Sequence, residues 1–267
     1  MAVTRRGYIF GAFLLGVLSV LLILVAISSD SWVISSATAE LQVQDSSIRY
    51  GLFRGEITLQ ELGTPNINTL YMTCITELNA CALSCKTEEE ARITEVEALA
   101  EGFRPTPACL AITDVDTTNP LDSPPVISFA FYVSTLVVLF LQLGVAVVAA
   151  GLAIINATKN PTEPIFGLPG CLWANGIAAI LGIVVLLMFG IYWRTSGLME
   201  HLAISYIALD TLLPLFVFFC FRVLITAILC SLVNIGLIQG RAYLLERDPP
   251  PPTIKVDNHS DGTIFLY

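Results

Sequence analysis

Tyr50-Gly51-Leu52-Phe53-Arg54-Gly55-Glu56 lies in the long polar segment 30–126, which follows the first of four long apolar runs. Around it the apolar residues alternate: Leu41 and Val43, then Ile48, Tyr50 and Leu52, then Ile57 and Leu59. Period-two spacing punctuated by Gly51, Gly55 and Gly63 is the pattern of short strands joined by turns. A small sheet is therefore expected here, with Trp32 just upstream and Cys74, Cys81, Cys85 and Cys109 downstream.

The apolar runs set the environment of that sheet. Charged residues make up only 13% of the 267-residue chain, against about a quarter in soluble domains. The deficit is concentrated: residues 7–29, 123–158 and 164–193 carry no Asp, Glu, Lys or Arg, and 211–240 carry only Arg222. A membrane-crossing helix needs about 20 apolar residues, and in lipid the backbone must satisfy its own hydrogen bonds. The fold class that follows is an all-α membrane bundle of four transmembrane helices. A small extracellular β-sheet and a short helix fill its first outer loop. The first run is longer than the apolar core of a signal peptide, about 7–15 residues, so it reads as a retained span. The expected layout is an N-terminus over 1–7, spans at 8–29, 127–152, 171–193 and 211–238, outer loops at 30–126 and 194–210, a connection at 153–170 and a tail at 239–267.

Orientation follows from the basic residues flanking the spans. Arg5, Arg6, Lys159, Arg241 and Arg247 gather on one side, against Arg194 on the other. Both termini are therefore expected in the cytoplasm of a multi-pass plasma-membrane protein. The sequons at Asn156 and Asn258 fall on that cytoplasmic side, where no glycan is added. Residues 30–126 contain 15 acidic and 5 basic residues. A balance of −10 lacks the basic footprint that nucleic acid requires and is first of all a solubilising surface.

Gly7, Gly11, Gly16 and Ser19, then Gly144 and 149–151, then Gly176, Ala179, Gly182 and Gly190 supply small residues along the spans. Such positions let helices approach closely. Trp32 and Trp193 fall where an indole suits the membrane–water boundary. Over 86–102, Ile93, Val96, Leu99, Ala100 and Phe103 recur at helical spacing, with Thr87 and Glu90 as a capping box and Gly102 as a stop. The Glu88–Glu90 run lacks the loop pattern of a calcium site and reads as a solvated helix face. The four loop cysteines imply up to two disulfides with three pairings open, while Cys171, Cys220 and Cys230 read as packing residues. Arg222 inside the fourth span is expected to face the bundle as a hydrogen-bonding strut, with Gln142 as its partner.

The tail carries Pro249–Pro252, which favours polyproline II. It ends in Phe265-Leu266-Tyr267, whose apolar last and third-last residues suit strand addition to a PDZ scaffold. No H-E-x-x-H, phosphate loop, G-x-S-x-G or intramembrane carboxylate pair is present. No catalytic residue, cofactor or metal ligand is expected, and the chain reads as a non-enzyme.

Four spans, a large first loop, Trp32, the Gly51-Leu52-Phe53 triplet and loop cysteines together resemble the claudin-like superfamily, with Phe53 where claudins carry tryptophan and four loop cysteines for their two. The chain is more closely similar to the clarin family. The shared features are Tyr50–Glu56, the Pro-rich 160–164 connection with Gly167-Leu168-Pro169-Gly170, the Phe218–Phe221 run, and the apolar-then-tyrosine end. The resemblance spans the whole chain as a divergent member, with 66–125 expanded. It implies a non-enzymatic tetraspan protein that organises membrane complexes linked to actin or synapses in sensory cells. The outer loop would contact other membrane proteins and the tail would bind a scaffold. Two further roles fit the superfamily: a junctional barrier or paracellular pore in which the acidic loop selects cations, and an auxiliary channel subunit.

Overall fold

A backbone placed in lipid has to close its own hydrogen bonds, and the four apolar runs do so as long helices. In the computed structural model, residues 2–37, 46–61, 64–106, 109, 111–118, 120, 124–158, 165–196 and 219–247 are described. The helices are α1 (Ala2–Ser28), α3 (Phe129–Thr158), α4 (Leu168–Thr195) and α5 (Phe219–Arg247), with the short α2 (Glu89–Ala100) between the first two. All four long helices are long and apolar enough to cross a membrane, so their environment is a bilayer. They run past the expected span ends, α3 to residue 158 and α5 to residue 247, because a helix does not stop where its side chains become polar. Strand candidates Leu41 and Val43, Gly63, the 197–210 loop, 211–218 of the fourth span and the tail with Phe265–Tyr267 lie outside the described residues.

The helices pack in the cyclic order α1, α3, α4, α5, alternating in direction. Close approach is built where small residues meet. A Cβ on Gly16 would lie 3.2 Å from the Cβ of Ala150, and one on Gly182 would lie 2.7 Å from both Gln142 Nε2 and Ile228 Cγ1. Gly7, Gly144, Gly151 and Gly176 instead face open space, so half of the expected glycine packing is not packing. Polar groups tie the helices internally. Ser19 Oγ donates to Ala227 O at 3.3 Å and Asn234 Nδ2 donates to Asn175 Oδ1 at 3.2 Å.

The polar segment forms a six-stranded antiparallel sheet in the order β1-β2-β3-β4-β5-β8. Its strands are β1 (Val33–Ala37), β2 (Ser46–Tyr50), β3 (Arg54–Glu61), β4 (Thr64–Ile75), β5 (Ala80–Ser84) and β8 (Ile127–Ser128). A two-stranded ribbon, β6 (Arg104–Pro105) with β7 (Val115–Asp116), lies beside it. Alternation does what period two requires. Ile48, Tyr50, Ile57, Leu70 and Leu83 face the bundle and share one buried core with Ile23, Leu139, Val185 and Leu224. The opposite face receives α2, whose Val96 and Leu99 pack on Ala82. Sheet and bundle are one hydrophobic unit.

The capping box does not form. The N-cap of α2 is Glu88, with no side-chain cap hydrogen bond. Gly102 does end the helix, at φ 85°, where a left-handed residue reverses the chain. Glu95 of α2 is buried and accepts a hydrogen bond from Ser84 Oγ. Lys86 is buried beside it, and its Nζ donates to Ile112 O at 3.3 Å.

Of the three pairings, the structure contains Cys74–Cys81, across the β4–β5 hairpin, and Cys85–Cys109, which staples the loop around α2. Their sequence separations are 7 and 24. Loop-closure entropy then gives about 2.4 and about 3.5 kcal/mol respectively. Replacing Cys85 and Cys109 together should therefore lower the melting midpoint of the polar unit more than replacing Cys74 and Cys81. Differential scanning fluorimetry of the two double variants in detergent checks the order.

Candidate functional site

The heptapeptide forms the joint between sheet and bundle. Tyr50 ends β2, Gly51 to Phe53 make the turn, and Arg54, Gly55 and Glu56 open β3, with Tyr50 paired to Gly55. The Gly51 N–H donates to Arg54 O at 2.8 Å and the Met72 N–H to Phe53 O at 3.1 Å. The turn is pressed against the end of α1. A Cβ on Gly51 would lie 2.5 Å from Arg54 O, 2.7 Å from Asp30 Cα and 2.7 Å from Ser29 O. Only a residue without a side chain lets these three backbone segments meet. At Gly55 the same holds against Arg49 O, at 2.5 Å.

Trp32 locks the joint from below. Its expected place at the boundary, partly in water and lipid, is corrected: it is 1% exposed, in the core between sheet and helices. Its indole N–H donates to Ala26 O at 2.7 Å, satisfying a carbonyl of the last α1 turn, and its backbone N–H donates to Tyr50 O at 2.8 Å. The ring lies 5.1 Å from Phe189, which stacks in turn on Trp193 at 5.9 Å. Trp193 is likewise buried. A tryptophan with an internal acceptor does not need the interface to satisfy its N–H, and burial of the whole ring then wins.

Three contacts that sequence reasoning missed complete the joint. Tyr132, in the first turns of α3, donates its hydroxyl to Leu52 O at 3.0 Å. Asn79, in the β4–β5 turn at φ 48°, accepts from the Ala130 N–H at 3.0 Å and so caps α3 from a distant strand. Tyr192 stacks on Phe131 at 3.8 Å and accepts from the Ser128 N–H at 2.8 Å. Asn79 sits in a tight turn between two cysteines, where an asparagine tolerant of left-handed backbone is a readable signal. The tyrosines carry no such mark.

Burial pushes the Tyr50 phenol well above its ordinary value of 10.0. The folded joint therefore prefers the neutral phenol. This contribution is complete below pH 10 and is lost as pH rises beyond it, because the unfolded chain ionises first. Stability should fall by up to about 1.4 kcal/mol per pH unit above that point. The fall should be shallower in Tyr50→Phe, read by thermal unfolding of both proteins across the alkaline range.

The face of the sheet turned away from the bundle is open beyond α2. Arg49, Arg54, Thr69 and Tyr71 are exposed on it, with Glu56 half-buried opposite Arg49. The Arg92 guanidinium lies 5.6 Å above the Tyr71 ring and donates to Thr87 O at 2.8 Å. Phe53 is 44% exposed at the tip of the turn. Beneath the sheet, Trp32, Tyr50, Phe131, Tyr132, Phe189 and Trp193 surround an apolar cavity of about 40 Å³.

Arg222 is not the expected strut. It is exposed on the outer side of α5, one turn from the sheet end of the described helix, whereas Gln142 is 1% exposed inside the bundle. Two residues before Arg222, Cys220 Sγ reaches Ala26 O and Ser31 O where α1 ends, so an outward-facing arginine at this level satisfies itself by reaching the interface and requires no buried partner. Gln142 Oε1 has no hydrogen-bond partner among the described residues. Asn156 is buried, and its amide nitrogen donates to Leu152 O and Phe166 O, which removes it as a glycan acceptor whatever the topology. Among the described residues no group of three or more His, Cys, Asp or Glu side chains could hold a metal.

No family model matches the chain, and no curated protein matches it.

Proposed function

We propose that this protein is a non-enzymatic, clarin-like tetraspan organiser of plasma-membrane complexes, acting in sensory cells through actin-linked or synaptic assemblies. The observation that carries this role is the joint. A rigid, disulfide-bearing sheet is fixed to the membrane bundle through one face and turns the other, with Arg49, Arg54, Tyr71 and Arg92, toward solvent. Tyrosine and arginine are the residues on which protein contacts most often concentrate their energy. The sheet faces the outside and both termini face the cytoplasm. Two disulfides require an oxidising compartment, and the basic flanks gather at the opposite ends of the helices. The C-terminal Phe265–Tyr267 recruits a PDZ scaffold.

A claudin-type barrier or pore is the second role, favoured by the −10 balance of residues 30–126. An auxiliary channel subunit is a third role that the same open sheet face suits. Affinity purification from native membranes, with Tyr71→Ala and a Phe265–Tyr267 deletion in parallel, separates the roles. The organiser loses its membrane partner in the first and its scaffold in the second, while insertion stays normal in both. Cell–cell strands with altered conductance in non-adherent cells would contradict it. A pore-forming channel as the partner lost in Tyr71→Ala would show the auxiliary subunit instead.

A further inference from the structure

Residues 30–126 contain no Asn-x-Ser/Thr acceptor for N-linked sugar. Asn66 is followed two positions on by Asn68, Asn68 by Leu70 and Asn119 by Leu121. The remaining asparagine of the segment, Asn79, is followed by Ala80 and then Cys81. A thiol at that third position stands in for the hydroxyl, as a weaker hydrogen-bonding group. We propose that Asn79 carries an N-linked oligosaccharide, attached while Cys81 is still a thiol. The site rests on the reading that residues 30–126 face the outside.

The folded turn accommodates the modification. Asn79 lies between β4 and β5 at φ 48°, and residues 76–79 are all exposed, so a glycan there meets solvent. The two ends of its carboxamide have different surroundings. Oδ1 accepts from the Ala130 N–H at 3.0 Å and from the Ser128 hydroxyl at 3.3 Å. A backbone N–H can be accepted only by the amide oxygen, which fixes the orientation of the group. Nδ2, the atom that takes the sugar, donates to nothing among the described residues. A glycosylated amide keeps its carbonyl, so the cap on α3 survives.

The donor is an oligosaccharide linked to a lipid diphosphate, and the catalyst is a membrane-bound oligosaccharyl transferase. A bond forms between Nδ2 and the anomeric carbon, and the bond from that carbon to the diphosphate oxygen breaks. The lipid diphosphate leaves with the electron pair, one amide proton is released, and nothing is oxidised or reduced. Order matters, because Cys81 ends in the disulfide with Cys74 and is 0% exposed. A disulfide sulfur carries no S–H, so closing this bond removes the acceptor motif. The two cysteines are 7 residues apart, and so short a loop closes at little entropic cost. Disulfide formation therefore competes with sugar transfer, and on a modified chain the sugar comes first.

The test uses the full chain expressed in eukaryotic cells. Gel mobility is compared before and after peptide-N-glycosidase, and digestion in heavy-oxygen water marks the modified asparagine for peptide mapping. The parent should show one glycosidase-sensitive step, mapped to Asn79 and lost in Asn79→Gln. Cys74→Ala and Cys81→Ala both lack the disulfide, so they share any folding defect, yet they should diverge. Cys74→Ala spares the thiol and removes its competitor, which should raise the glycosylated fraction. Cys81→Ala removes the thiol and should abolish the step. Asn68→Thr creates an ordinary sequon at Asn66, and in an Asn79→Gln background it reports the placement of the loop. Sugar at Asn66 but none at Asn79, in the parent and in Cys74→Ala, overturns the proposal and leaves the outside placement standing. Sugar at neither position overturns both. A step that persists in Asn79→Gln or in Cys81→Ala also overturns it, because the acceptor or the recognised group then lies elsewhere.

Discussion

Gly51→Ala should leave little folded protein, although it adds only one methyl group. That methyl would sit within 2.7 Å of three backbone atoms, contributed by the turn itself and by Ser29 and Asp30 at the end of α1. Backbone cannot rotate aside as a flexible side chain can, so the turn has to leave its seat or α1 has to unwind. Overpacking against yielding side chains costs about 1–3 kcal/mol, and this position belongs at or above the top of that range. Against a total stability of about 5–15 kcal/mol, such a loss exposes the sheet core to proteases and to quality control. Limited proteolysis and surface display measure it. Gly176→Ala, at a glycine facing open space, is the matched control and should behave like the parent.

Trp32→Ala should be nearly as damaging, by a different route. It removes a fully buried indole between Tyr50, the end of α1 and Phe189, and truncations of this kind cost about 3–5 kcal/mol. Trp32→Phe keeps most of the apolar volume but removes the indole donor from the Ala26 carbonyl and leaves it the weak Cys220 thiol at 3.9 Å, a loss of about 1–3 kcal/mol. The two variants therefore separate volume from hydrogen bond. In Trp32→Ala the bundle should outlast the joint. Its far end has its own core of Ala153, Cys171 and Ile238 with Phe13 and Leu168. Far-UV circular dichroism should retain helix content while the sheet becomes protease-sensitive. Phe53→Ala, at an exposed side chain, should leave both intact.

The four helices, the sheet, α2 and its glycine stop were legible because each rests on a local pattern: uninterrupted apolar runs, period-two alternation, helical spacing. Trp32 was recognised as important but misplaced, since its position in the chain matches an interfacial residue as well as a buried one. What decided between them was an acceptor, Ala26 O, that local pattern does not reveal. Arg222 was misjudged for the converse reason. Its place within an apolar run suggested burial, but a long side chain level with the end of α1, where Cys220 meets Ser31 O, can turn outward. Tyr132 and Tyr192 were invisible because their roles depend on which helix ends stand beside which strands, whereas Asn79 carried a readable turn signal but no sign of the helix it would cap. Gly144 and Gly176, expected to pack, face open space, because a glycine that packs a neighbour and one that leaves a hollow look alike in sequence.

The central claim is that Trp32 and Tyr50–Glu56 fix the sheet rigidly on the bundle. Spin labels at Thr69→Cys, on the outer face of the sheet, and Thr195→Cys, at the end of α4, test it most directly. Pulsed dipolar spectroscopy in nanodiscs should give one narrow distance distribution in the parent and a broad one in Trp32→Ala. A broad distribution in the parent, or an equally narrow one in the variant, would contradict the account.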